Sequence, residues 1–226
     1  ERPSPGAGNV TRGLGNGTTH VRVTNQIFPH AISIPLSQEM ILTQWHTPVD
    51  DENCYWYAIF TSYTTPVDKK KMRDQRLELY ELPDYKSRKN KSNDYGFDPH
   101  EQATETYTGM GTDINVHDQW AVESMGAIQD RTNEHLGTSD KAIVQYRRLL
   151  RQEIEKVSGG EKPMLFLDAA HARSIQGPAT MDGIGPTQGW EIYWMEVDVK
   201  RRRGAPWAAP VPSEIAGKIR HLSAAE

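Results

Sequence analysis

β-Branched and aromatic residues crowd the chain from "HVRVTNQIFPHAISIPL" (20–36) through "MILTQWHTPVDDENCYWYAIFTSY" (40–63), interrupted by Pro29, Pro35 and the acidic run "VDDEN". Such side chains suit a pleated, half-buried surface, so the pattern predicts a strand followed by a β-hairpin whose loop is residues 50–53. Residues 64–111 are charged and rich in turn formers, with little periodicity. They are expected to form a long surface excursion with one helical turn around 72–79, the kind of loop that is usually functional or mobile. Over 139–157 the period changes to that of a helix: Ile143, Tyr146, Leu150, Ile154 and Val157 recur at helical spacing, Ser139 and Asp140 suit its start, and Gly159 and Gly160 close it.

Two segments leave the pattern open. In "GWEIYWMEVDVKRRRG" the residues Trp190, Tyr193, Trp194 and Val197 fit a helix, while Tyr193, Met195 and Val197 fit a strand. The placement of Glu191, Glu196 and Asp198, with cations at the C-terminal end, favours the helix. In "HDQWAVESMGAIQDR" (117–131) a helix would put Asp118, Val122, Met125 and Gln129 on one stripe, with Trp120, Ala121, Ala127 and Ile128 covering much of the rest. A helix that apolar is expected to be buried, and a buried carboxylate needs hydrogen bonds, an ion partner or a metal. On this segment alone the commoner role for Asp118 is a cap or first-turn residue, and a ligand is the rarer one.

Composition narrows the choices. The 226 residues are 36% apolar and 25% charged with a net charge of -4, enough for one good core. No run approaches the roughly 18 apolar residues of a membrane span, and the polar, Gly-rich opening has no apolar signal region, so the chain reads as soluble and cytoplasmic. The single cysteine, Cys54, excludes an internal disulfide framework, a four-cysteine zinc site and an iron–sulfur cluster built from this chain alone.

"YTGMGTDINVHDQWAVESMGAIQDRTNEHLGTSDKAIVQYRRLLRQEI", above all "HDQWAVESMG" and "DRTNEHLGTSDKAI", resembles the C-terminal part of the large subunit of Rieske non-haem iron aromatic-ring-hydroxylating oxygenases, the group that includes phthalate dioxygenase. The likeness runs over about residues 20–160, taking in "RVTNQIFPHAISIP" and "HTPVDDENCYW", and more loosely "GWEIYW". It implies an α+β helix-grip (START/Bet v 1-like) fold, incomplete in this chain: an antiparallel sheet around a long helix, with C-terminal helices. The implied layout is a polar lead-in at 1–19, a partial oxygenase catalytic domain at 20–207 and a loose tail at 208–226. The implied metal is mononuclear Fe(II), held by two histidines and an aspartate that leave positions open for oxygen; the aspartate motif matches Asp118. Val122 and Met125, on the same stripe, are the expected substrate contacts.

The resemblance further implies dioxygen insertion into an aromatic substrate, by ring hydroxylation or oxidative demethylation. Electrons would come from NAD(P)H through a reductase or ferredoxin and a Rieske [2Fe-2S] cluster, commonly across a subunit boundary of a homotrimer. The two iron-binding histidines of the family are closely spaced, whereas the nearest pair here, His20 and His30, lies ten residues apart, and the cluster ligands are missing too. The chain thus holds one of the three implied iron ligands; it is expected to be part of a longer polypeptide that supplies the rest, the alternative being a degenerate, catalytically silent relative. A helix-grip ligand-binding domain without catalysis, with Asp118 structural, is the competing reading.

Other features have plainer readings. His117, next to Asp118, would share a metal with it only if the helix began after both, because neighbours on a helix diverge by about 100°; it is expected to hydrogen-bond instead. Glu123 is expected to pair with a surface cation more often than to bond within the site. The basic runs "DKKKMRDQR", "KSRKNK" and "KRRR" read as solvated charge, since a net acidic chain argues against nucleic acid. "SGGEKP" lacks the spacing of a phosphate loop. Trp190, Trp194 and Trp207 read as core anchors. Asp168 and His171 have no nucleophile beside them.

Overall fold

The computed structural model describes residues 7–164, 166–172, 177–205 and 207. It divides the chain into two compact units: the described residues of 1–49, 54–66 and 136–226, and those of 50–53 and 67–135. The tail expected at 208–226 lies outside the described residues.

The first unit is an antiparallel sheet with helices. Its strands are β1 (Ala7–Gly13), β2 (Thr18–Ile27), β3 (Ala31–Pro35), β4 (Met40–Pro48), β5 (Cys54–Ser62) and, much later in the chain, β8 (Met181–Pro186). β2 organises them. Along one side it pairs with β1, Gly13 opposite Thr19 and Ala7 opposite Asn25. Its other side is shared: β8 runs from Pro186 opposite Thr18 to Met181 opposite Val23, and β3 takes over from Ser33 opposite Asn25. β4 and β5 continue the sheet as the predicted hairpin, and Asp50 closes its loop by accepting from the backbone N–H groups of Glu52 (2.9 Å) and Asn53 (2.7 Å). The stretch 20–36, expected as one strand, is two, with the chain reversing between Ile27 and Ala31. Ala7–Gly13, within the expected lead-in, is a strand as well.

Side chains along β2 alternate between buried and half-buried, so Val21 and Val23 face one layer. With Met181 they are fully buried under α6 (Trp190–Gly204), whose Trp190, Tyr193, Trp194 and Val197 pack on them. The helical reading of this ambiguous segment therefore holds, and so does the anchoring role of Trp190 and Trp194. Gly185 permits the approach: a Cβ there would collide with the Tyr193 ring. At the far end of α6, "KRRR" departs from expectation. Arg202 is buried and donates to Asp198 (2.7 Å) and to the carbonyls of Gly177 and Pro178, while Arg201 donates to Asp198 (2.7 Å) and Thr180. These arginines are structural because the carbonyls and the Asp198 carboxylate would otherwise be buried without partners. Trp207 stacks near Tyr63, ring centres 5.0 Å apart, and donates to the Ser62 carbonyl.

The predicted helix at 139–157 is α4 (Lys141–Ser158), with Asp140 at the N-cap position but without a side-chain capping bond. Gly159 and Gly160 end it. Its Tyr146 donates to the Pro29 carbonyl and meets Phe28 edge-on, but Ile143, Ile154 and Val157 remain exposed.

The second unit occupies the region expected as a surface excursion. It contains α1 (Lys69–Leu79), the short hairpin β6 (Tyr80–Glu81) and β7 (Lys86–Ser87), a tight 3-10 segment at Lys91–Gly96, α2 (Pro99–Thr104) and α3 (Ile114–Glu123). A short helix, α5 (Ala169–Ala172), belongs to the first unit. The second unit has its own cluster of Tyr95, Met110 and Val116, with Leu79 against it. Local capping supplies much of its order: Asp68, Asn90, Asp98 and Asp113 each accept a backbone N–H at the start of a helical segment. Hydrophobic period was too sparse to announce this, since three buried apolar residues are scattered over 22 positions.

The architecture is α+β with an open antiparallel sheet, as the family resemblance implied. No helix among the described residues is long and apolar enough to cross a membrane.

Candidate functional site

α3 begins earlier and ends earlier than the hydrophobic stripe suggested. Asp113 is its N-cap, accepting from the Asn115 N–H (2.9 Å) and receiving a charge-assisted bond from Arg76. Ser124 caps the other end, and Gly126, at φ +92°, turns the chain away. Asp118 is thus neither the cap nor a first-turn residue; it lies in the middle of the helix. Met125, expected on the same stripe, falls in the turn beyond Glu123.

Successive helical residues advance by about 100°, which places Asp118 about 200° around α3 from Val116, the one buried residue of the helix. The face that holds the unit together carries Val116, His117, Gln119 and Glu123. The opposite face carries Ile114, Asp118 and Val122 at four-residue spacing. Ile114 and Val122 are 60% and 61% exposed, and Met125 is 52% exposed. Asp118 is exposed as well, and no hydrogen bond or ion pair among the described residues involves it. The expectation of a buried helix fails here, because the unit's small core touches only one side of it.

The fastened face is richly bonded. His117 Nε2 lies 2.9 Å from both the Thr108 hydroxyl and the Gly111 carbonyl, so it is a hydrogen-bonding residue as expected. The helix begins three residues before it, which rules out a metal shared with Asp118 on the angular ground already given. Among the described residues Glu123 pairs with no cation. Its Oε2 accepts from the Tyr95 hydroxyl (2.8 Å) and its Oε1 from the Gln119 amide (2.9 Å). Burial, with the Glu123 carboxylate beside it, pushes the Tyr95 phenol up to about 12. Tyr95 went unnoticed in the sequence; its only signal was an aromatic residue ahead of Gly96 in a polar turn.

A second carboxylate braces the loop before α3. Glu101 accepts from the Gly111 N–H (2.7 Å) and the Thr106 hydroxyl (2.6 Å), and these bonds hold it below the usual carboxylate range. Lys89 donates to the Met110 carbonyl (2.8 Å).

Of the remaining candidates, Asp168 accepts from the Ala170 N–H (3.0 Å) at the start of α5, and the His171 side chain lies outside the described residues. Cys54 is free and exposed. Among the described residues no three His, Cys, Asp or Glu side chains converge as a metal site would require. Asp118 is therefore a single unengaged oxygen donor, and the described residues bring no set of metal ligands together around it.

The chain matches the LigXa C-terminal domain like family over residues 9–198. It is 42% identical over 65 residues to the 5,5'-dehydrodivanillate O-demethylase oxygenase subunit of Sphingobium sp. (strain NBRC 103272 / SYK-6), covering 26% of this chain and 15% of that protein. It is 26% identical over 162 residues to the phthalate 4,5-dioxygenase oxygenase subunit of Pseudomonas putida, covering 67% of this chain and 36% of that protein. The matched stretch is about a third or less of the length of either relative. The chain belongs to the LigXa C-terminal domain like family and is related in sequence to these two oxygenase subunits.

Proposed function

We propose that this chain is part of the catalytic domain of a Rieske-type oxygenase acting on an aromatic compound, and that Asp118 is its contribution to a mononuclear non-haem Fe(II). The observation that carries this reading is the position of the carboxylate. It stands between Ile114 and Val122 on an exposed apolar stripe, turned away from the core of its own unit. Covering such a stripe removes apolar surface from water, but it also desolvates the carboxylate, which costs several kcal/mol unless a cation meets it. A ferrous ion completed by two histidines from the rest of the protein satisfies both requirements, because iron(II) accepts imidazole and carboxylate together.

When bound, the iron supplies sites at which dioxygen is activated beside the substrate. This chain's part is to neutralise one unit of metal charge and to hold a donor atom still. Val122 and Met125 are the proposed substrate-facing residues, their apolar side chains suited to an aromatic ring. The electron donor in this reading is a reductase or ferredoxin drawing on NAD(P)H, through a Rieske cluster carried outside this sequence. The assembly is a homotrimer and the compartment the cytoplasm.

Metal analysis of the full-length protein tests the assignment. Asp118→Ala is expected to lose the mononuclear iron. Iron content equal to that of the parent would remove Asp118 from the ligand set and favour a ligand-binding domain without catalysis.

A further inference from the structure

The helical unit contains a cavity of about 340 Å³ whose lining includes three aromatic residues, Phe97, Tyr107 and Trp120, together with Met110 and Asp94. It is separate from the bare stripe of α3. Trp120 lies two positions beyond Asp118, hence about 200° around the helix from it, and only about 40° from the buried Val116. We propose that this cavity binds an organic cation of the alkylammonium type, its methyl or methylene groups against the rings and its charge near Asp94. The proposal does not depend on the ligand role of Asp118.

The rings are available to a ligand. Phe97, Tyr107 and Trp120 are 41%, 96% and 46% exposed, and among the described residues no two of them stack on each other. The Trp120 indole N–H and the Asp94 carboxylate likewise have no hydrogen-bond or ion-pair partner there. Charge decides the class of ligand. Asp94 is the single charged residue of the lining, and Lys89, which donates to the Met110 carbonyl (2.8 Å), is not part of it. An anion would be repelled, and a neutral ligand would take water from the carboxylate without replacing it. A cation is drawn both to the carboxylate and to the electron-rich faces of aromatic rings. Alkyl groups on that cation suit the apolar walls and the Met110 floor, which is itself buried.

The walls are held in place before any ligand arrives. Asp94 stands in a left-handed turn, φ 49°, in which its carbonyl accepts from the Phe97 N–H (3.0 Å). The Asp98 N–H reaches the Gly109 carbonyl (2.8 Å), which joins the Phe97 segment to the loop bearing Tyr107 and Met110. Thr108 in that loop bonds His117 (2.9 Å) and so ties it to α3, the helix that carries Trp120. Walls fixed in this way lose little freedom on binding.

The test titrates the full-length protein with tetramethylammonium and, in parallel, with tert-butanol, a neutral molecule of similar size and shape. Binding is read by calorimetry and by the proton resonance of the methyl groups, which aromatic rings displace upfield. Tetramethylammonium is expected to bind about 10-fold more tightly than tert-butanol, with an upfield shift. Trp120→Ala and Asp94→Asn should each weaken it about 5-fold to 10-fold, asparagine being tolerated in the left-handed turn. Tyr107→Ala, at a side chain too exposed to matter for folding, should weaken it about 3-fold, and it decides the matter if Trp120→Ala fails to fold. Asp118→Ala should leave binding at the parent level. Equal affinity for the two probes would overturn the proposal, as would the absence of an upfield shift or parent affinity in both Tyr107→Ala and Asp94→Asn. Loss of binding in Asp118→Ala would put the cation on the other face of α3 and would also overturn it.

Discussion

The sheet unit and the helical unit acquire order by different means. In the first, Val21, Val23 and Met181 are withdrawn completely from water beneath the aromatic face of α6, and a buried Asp198 carboxylate is held by two arginines. In the second, only Tyr95, Met110 and Val116 form the buried cluster, and helix starts are secured one by one by Asp68, Asn90, Asp98 and Asp113. Apolar burial is non-directional and scales with area, so it stabilises a unit as a whole. Capping bonds are local and directional, each contributing about 1 kcal/mol, so they fix the position of particular backbone segments. A unit of the second kind can present a polar side chain at a defined place while leaving one face of its helix bare, as α3 does with Asp118.

Substitutions in the two units can break or sharpen this contrast. The largest effect is expected from Asp198→Ala, which leaves Arg202 buried without its anion and should cost about 3 to 5 kcal/mol in chemical denaturation. A loss below about 1 kcal/mol would mean that the arginines find other partners and that the sheet unit depends on apolar area alone. Met181→Ala comes next, at about 3 kcal/mol for a fully buried side chain whose neighbours collapse only in part. Tyr95→Phe should cost about 1 to 2 kcal/mol, the range for leaving one buried acceptor with a partner lost. If it matched Met181→Ala, the helical unit would be as dependent on its cluster as the sheet unit is, and the contrast would fail. Asp118→Asn should change stability by no more than about 0.5 kcal/mol, since the group is exposed and unengaged in its own unit.

A pH series sharpens the same point. The Tyr95 phenol is pushed from the ordinary value of about 10 up to about 12 in the folded protein, chiefly by burial. The folded state therefore holds this proton more tightly than the unfolded chain does. Its contribution is fully present below pH 10 and is lost as pH rises from about 10 through about 12. Difference absorbance of ionising tyrosine should lose a step near pH 12 in Tyr95→Phe, and the same substitution should flatten the fall of stability in that window.

Much of the sheet unit was legible in sequence. The β4–β5 hairpin and its 50–53 loop, α4 with its double glycine stop, and α6 with its cationic end all follow from period and end signals. The turn dividing 20–36 into β2 and β3 was not, because Pro29 reads equally as an interruption within one strand. Arg201 and Arg202 were misread as solvated charge; their carbonyl partners come from residues more than 20 positions away, which no local pattern reveals. In the helical unit the Asp118 motif was visible, but the helix was placed three residues late. The cap, Asp113, precedes an exposed Ile114, so the apolar pattern carries no mark of the helix start there. Tyr95 was missed altogether, since its role depends on a left-handed turn and a partner 28 residues on.

By itself the sequence determined the β4–β5 hairpin, α4, α6 and the helix motif containing Asp118, because hydrophobic period and glycine stops act within a few residues of one another. Tertiary structure decided which side of that helix is fastened and which is bare. That choice depends on where Tyr95, Thr108 and Gly111 meet α3 in space, and such meetings are set by packing and turn geometry rather than by neighbours in the chain.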